Sequence, residues 1–202
     1  MPRARYIPGQ LTLEGFDDTP EPTDRLFFAI LPDAEAAARI AALVEKQRGE
    51  HKLTGRPIAA DRLHVSLFHV GDYLGLPHGI VTEAANAAAA LKAEVFPVAF
   101  DRVMSFSGRP GNQPFVLRAD DGLAALTTFQ QMLSNTMKRA GINKGAKLGF
   151  TPHVTLMYDG HRIAEQAVEE IGWTVREFVL VHSLVGRTQH VLLGRWPLAE
   201  SD

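Results

Sequence analysis

The chain carries two tetrapeptides of one design, His64-Val65-Ser66-Leu67 and His153-Val154-Thr155-Leu156. In an extended strand the histidine and the hydroxyl residue two positions on share a face, while the aliphatic residues take the other. Two imidazoles brought together across a cleft titrate near neutral pH, so one can accept a proton while the other donates one. The hydroxyls of Ser66 and Thr155 can donate hydrogen bonds to an oxyanion, most naturally a phosphate, with no metal required. Eight histidines among 18 serines and threonines would supply roughly 0.7 His-x-Ser/Thr matches by chance. Weight therefore comes from the surroundings: both tripeptides have aliphatic flanks and both follow a loop with Gly or Pro.

Elements that could position these residues are readable along the chain. Continuous apolar or alternating runs predict strands at 25–31, 63–70, 96–104, 114–118, 152–158, 174–185 and 190–196. Asp33 is placed to cap a helix to about Arg48, with Gly49 as its stop, and an alanine-rich helix is expected at 82–94. A third helix runs from Asp120 or Asp121, with Leu126, Phe129, Leu133 and Met137 at helical spacing and Lys138, Arg139 and Gly141 at its end. A short helix is expected at 163–169. The recurrence of strand, helix and histidine strand reads as an imperfect duplication. Its hairpin-like connections favour an α+β fold with a largely antiparallel sheet.

The 202 residues suffice for one sizeable core or two half-size lobes sharing one. Prolines at positions 2, 8, 20 and 22 mark residues 1–23 as a flexible arm, leaving 24–202 as one bilobal domain. A net charge of −2 argues against broad affinity for a nucleic-acid backbone but leaves room for a local basic cleft. With no cysteine, there is neither a thiol nucleophile nor a thiolate metal site. No apolar run reaches the ~18 residues a membrane span needs, and no signal-peptide stretch follows the N-terminus. A cytoplasmic monomer with no membrane partner is expected.

Several stretches together resemble the 2H phosphoesterase superfamily, in its bacterial RNA 2′,3′-cyclic phosphodiesterase branch, also called 2′-5′ RNA ligases. They are Arg25 to Ile30, Gly55 to Leu67, Phe150 to Leu156, Ser183 to Thr188 and Leu193 to Leu198. The resemblance implies two pseudo-symmetric lobes, each a largely antiparallel sheet with flanking helices, around a central cleft. It further implies hydrolysis of RNA 2′,3′-cyclic phosphate ends to 2′-phosphates, without cofactor or metal, and reversible ATP-independent 2′-5′ ligation at the same site. RNA ends or small cyclic-phosphate nucleotides are the implied partners.

On this reading His64 and His153 are catalytic, His153 as base and His64 as acid, and Ser66 and Thr155 bind the phosphate. Family members often carry an arginine five positions after the second histidine, where this chain has Tyr158. A phenol donates one hydrogen bond but brings no positive charge at neutral pH. Compensating charge is then sought from Arg56, or from Arg62, Lys144, Lys147 or Arg187. Phe68, Phe150, Tyr158 and His190 are aromatic groups near the motifs that suit stacking on an exposed base, although the two phenylalanines are expected to be core. Two alternatives use the same residues differently: a non-catalytic module gripping phosphate ends, or an enzyme for another small cyclic phosphate. A metal site at His64 and His69 is disfavoured because an odd spacing on a regular strand sends them to opposite faces.

Overall fold

The computed structural model describes residues 21–119, 123–142 and 149–200. Among them, eight strands form one sheet in the order β6-β3-β4-β5-β2-β1-β7-β8, every neighbouring pair antiparallel. The strands are β1 (Asp24–Ile30), β2 (Val65–Tyr73), β3 (Phe96–Ser105), β4 (Gln113–Arg118), β5 (His153–Asp159), β6 (Gln166–Val175), β7 (Glu177–Leu184) and β8 (Gln189–Pro197). Three helices, α1 (Ala34–His51), α2 (His78–Ala89) and α3 (Ala124–Arg139), complete the regular structure of the described residues, with a 3-10 turn at Ala60–Arg62. The duplication is visible as β1-α1-β2 and β4-α3-β5, whose histidine strands β2 and β5 meet at the centre of the sheet.

Local chemistry accounts for the helices. The Asp33 carboxylate accepts the Ala36 N–H at 2.8 Å, the expected N-cap of α1. Gly49 does not end this helix. It continues to His51 and stops at Lys52, which takes the left-handed conformation at φ 54° and donates its N–H to the Arg48 carbonyl. Ala36, Ile40 and Val44 bury one face of α1; Leu126, Phe129, Leu133 and Met137 do so for α3. The proposed caps of α3 at Asp120 and Asp121 lie outside the described residues. So do residues 1–20 of the expected arm, whereas Thr23 already donates its N–H to the Tyr73 carbonyl.

Residues 163–169 hold no helix, contrary to expectation. β6 starts at Gln166, and Ile171, Trp173 and Val175 face the core in strict alternation. The single strand expected at 174–185 is two, parted at Arg176. Glutamate and alanine favour a helix locally, but seven register pairs with β3 outweigh that preference.

The helices all lie on one face. Leu26, Phe28 and Ile30 of β1 join the large core with α1, α2 and α3, while the alternate residues Phe27 and Ala29 join Val179 and Val181 in a small separate cluster. The second face is therefore free of helices among the described residues. It carries the candidate residues His64, Ser66, His153 and Thr155. The helices also tie the two lobes together: α1 follows β1 yet packs on β6 of the other lobe, and α3 spans β2 and β3. Among the described residues no helix is long and apolar enough to cross a membrane.

One buried carboxylate fastens the approach to β2. Asp159, 3% exposed at the end of β5, accepts the backbone N–H groups of Thr54, Gly55 and His161 at 2.7, 2.6 and 2.8 Å, and His161 Nδ1 at 2.8 Å. Gly55 must be glycine, because a Cβ there would stand 2.1 Å from the Tyr158 carbonyl oxygen. Burial by itself opposes ionisation of Asp159, but the hydrogen bonds from His161, Gly55 and Thr54 prevail and hold its carboxyl well below the usual range. We expect Asp159→Ala to cost about 3 kcal/mol in urea unfolding at pH 7, the scale of losing hydrogen bonds to a buried charge. Because the native value is depressed, this stabilisation is complete above the unfolded value of about 3.9 and fades as the pH falls below it. The gap between wild type and variant should narrow over that acidic range.

Candidate active site

The centre of the site is a single rung of the ladder, Val65 opposite Val154. Both valines are fully buried on the helix-covered face, so the residues on either side of each point to the open face. Carrying the antiparallel register one residue each way sets His64 beside Thr155 and Ser66 beside His153. The four candidate groups thus surround one pseudo-two-fold axis. Each imidazole has as lateral neighbour the hydroxyl of the other tetrapeptide, not of its own.

Both rings are held the same way. His64 donates Nδ1–H to the Arg62 carbonyl and His153 donates Nδ1–H to the Thr151 carbonyl, each at 2.7 Å. A carbonyl can only accept, so the shared hydrogen resides on Nδ1 and Nε2 of each ring is left for the cleft. Each ring also rests against a phenylalanine: Phe27 for His64, with centroids 4.9 Å apart, and Phe106 for His153, 5.0 Å apart. Burial pushes the His64 imidazole below the ordinary histidine value, and the positive form of His153 across the axis and the Arg62 guanidinium add to this against the Arg62 carbonyl.

Bulges decide what else reaches this face. In β5, Thr155 pairs with Val116 and Met157 with Phe115, leaving Leu156 as the extra residue. Leu156 and Met157 then both enter the core, and Tyr158 returns to the open face with His153 and Thr155, 48% exposed. In β2, Ser66 pairs with Ala29 and His69 with Phe27, with Leu67 as the extra residue. His69 therefore shares the face of Ser66, which corrects the expectation that its odd spacing sends it to the opposite side. Its Nε2 lies 3.6 Å from Asp72. Among the described residues, no group of three His, Cys, Asp or Glu side chains is arranged to hold a metal ion.

Arginines gather on this face, and carboxylates pair with them. Arg118 pairs with His153 and Arg102 with Arg118, so both arginines stand on the open face. Arg118 donates to Glu165 at 2.5 Å. Arg25, on the face of Phe27, grips Asp72 through two bonds of 2.7 and 3.1 Å. This ion pair raises the Arg25 pKa against the opposing effect of burial, with a smaller contribution from the ionised form of Tyr158. Arg56 is exposed on the loop pinned by Asp159, next to Gly55 where that loop touches Tyr158. Arg187 is exposed near the β7–β8 turn, and Lys144 and Lys147 lie outside the described residues.

Phe68 is core, as its burial at 3% requires, and Phe150 packs partly buried against that core. His190 stands against His64. Phe27, Arg25 and Arg118 went unremarked as site residues in the sequence. A signal existed for the first two, since Arg25, Phe27 and Ala29 alternate with the core residues of β1; Phe106 gave none.

The chain belongs to the 2′-5′ RNA ligase superfamily, whose family model matches residues 31–187. It has the 2H phosphoesterase fold. RNA 2′,3′-cyclic phosphodiesterase of Escherichia coli (strain K12) is 28% identical over 183 residues, spanning 87% of this chain and 97% of that protein. The crystal structure of E. coli LigT complexed with 3′-AMP superposes with a TM-score of 0.69 at 28% identity, covering 88% of this chain and 99% of its own. A Thermus thermophilus protein, TT0787, shares the fold at 19% identity, with a TM-score of 0.68 and coverage of 88% and 100%.

The shared Nδ1–H geometry has a spectroscopic consequence. In their neutral forms, His64 and His153 should both populate the Nδ1–H tautomer, the minor form of free imidazole, in long-range ¹H–¹⁵N correlation spectra. An Nε2–H tautomer at either ring would contradict the arrangement.

Proposed function

We propose that the protein opens RNA 2′,3′-cyclic phosphate ends to 2′-phosphates with its two imidazoles acting on opposite sides of one phosphorus. The observation that carries this reading is the Val65–Val154 rung, which sets two Nε2 atoms and two hydroxyls around one axis on an open face. The family and the E. coli relative named for this reaction support it.

In the proposed step His153 Nε2 takes a proton from water as its oxygen bonds to phosphorus. The bond from phosphorus to the 3′ oxygen breaks, and His64 Nε2 supplies the proton that oxygen needs. Ser66 and Thr155 donate to the non-bridging oxygens, where charge grows in the transition state. Burial leaves the His64 ring holding its proton weakly in the free protein, and the bound phosphate anion beside it favours the cationic form that the acid role requires. With an RNA 5′ hydroxyl present, the same step run backwards joins ends through a 2′-5′ linkage without ATP. Arg56, beside Tyr158 at one end of the cleft, is the proposed source of the charge that the phenol lacks.

His64→Ala and His153→Ala should each slow turnover of a 2′,3′-cyclic-phosphate oligonucleotide by at least about 10²-fold, the usual worth of a general acid or base. Near-normal turnover by either variant removes that residue from the mechanism. Tight binding by the wild-type protein with no turnover would instead favour a module that only grips phosphate ends. The kcat/KM profile should be bell-shaped, with one limb below the ordinary histidine value of about 6.5, and unaffected by EDTA. Arg56→Ala should raise KM several-fold with a smaller effect on kcat, and Tyr158→Arg should lower KM; steady-state kinetics at two salt concentrations will show both.

A further inference from the structure

The two halves of the site repeat each other in their carbonyl partners and in their phenylalanines. One ring breaks the repeat. His190, on β8 opposite Ser183 of β7, stands with its centroid 5.4 Å from that of His64, nearly edge-on at 67°, and 5.6 Å from that of Phe27 at 74°. Phe27, His64 and His190 form a closed triangle of rings. Among the described residues, the ring recorded against His153 is Phe106, and no second ring joins it.

We propose that His190 is a positioning residue for His64: it closes the flank of the ring that Phe27 leaves open, excludes water there, and makes the two motif histidines unequal. This rests on the phosphoesterase reading only for its catalytic consequence, which is the assignment of the proton-donating role to His64.

The charged and titratable groups around the triangle agree with a neutral spacer. His64 faces His153 from β5, Arg62 from the 3-10 turn and His190 from β8, while His190 faces His64, Arg62 and Asp61. Burial, His64 and Arg62 together push the His190 imidazole down to about 4, with Asp61 opposing them weakly. His190 is therefore uncharged near pH 7 and carries no proton for the reaction. It acts by filling space. A tight turn places it, since Gly186 and Thr188 take positive φ of 78° and 52° between the paired strands β7 and β8.

The test is an imidazole NMR titration of His64 in the substrate-free protein, in wild type, His190→Ala and His190→Phe. Removing the ring admits water to His64, so its midpoint should rise by about 0.5 pH units or more in the alanine variant, a modest part of what desolvation can do. The phenylalanine variant retains the bulk and should stay near wild type. The corresponding limb of the kcat/KM profile should move with the alanine variant and not with the other. An unmoved His64 midpoint in His190→Ala, or an equal rise in His190→Phe, would overturn the proposal. The titration needs no turnover, so failure of the phosphoesterase reading would show separately, as an inactive wild type with the NMR shift intact.

Discussion

One backbone rung, Val65 against Val154, is the constraint on which the site depends. It is the register pair that links β2 and β5, the two strands that carry the histidines, and it joins the two lobes at the centre of the sheet. Because side chains alternate across a sheet, burying both valines turns His64, Ser66, His153 and Thr155 outward together. A slip of one residue in either strand would send that strand's histidine and hydroxyl into the core. Register is secured from outside the rung: α3 packs across β2 and β3, Gln130 donates from α3 to the Leu67 carbonyl, and Asp159 binds the loop before β2 to the end of β5.

Bulges then shape the surface that surrounds the four groups. The extra residues Leu67 and Leu156 stand in equivalent places, each three positions after its histidine, and each sends two successive apolar residues into the core. The side chains beyond, His69 and Tyr158, come back to the open face as a result. This is how a residue five positions from a histidine can serve the same site, which a regular strand forbids. Here a phenol occupies that place in the second half and an imidazole in the first. Neither brings the fixed charge of a guanidinium, and the open face draws its arginines from β1, β3 and β4 instead.

Much of this was legible in the chain because it is local. Strand-like alternation around His64 and His153, the Asp33 cap and the helical spacing of Leu126, Phe129, Leu133 and Met137 are each settled within a few residues. What escaped depends on pairing. The bulge at Leu67 exists only in relation to β1, so spacing alone placed His69 on the wrong face. Residues 163–169 look helical in isolation, yet Gln166 and Ala167 already pair with β3 and β6 begins there. His190 reaches His64 from a strand at the opposite end of the lobe, where sequence adjacency says nothing. The Asp159 clamp joins two segments about a hundred residues apart, whose approach no local pattern announces.

The central claim is that the two tetrapeptides form one phosphate site and that water enters opposite the 3′ oxygen. Its most direct test is to incubate the protein, with EDTA and in ¹⁸O-enriched water, with an oligonucleotide ending in a 2′,3′-cyclic phosphate, and to read the product by ³¹P NMR and mass. We expect a single 2′-phosphate end carrying one ¹⁸O atom. A 3′-phosphate end, a mixture of both, or no product at all would contradict the account.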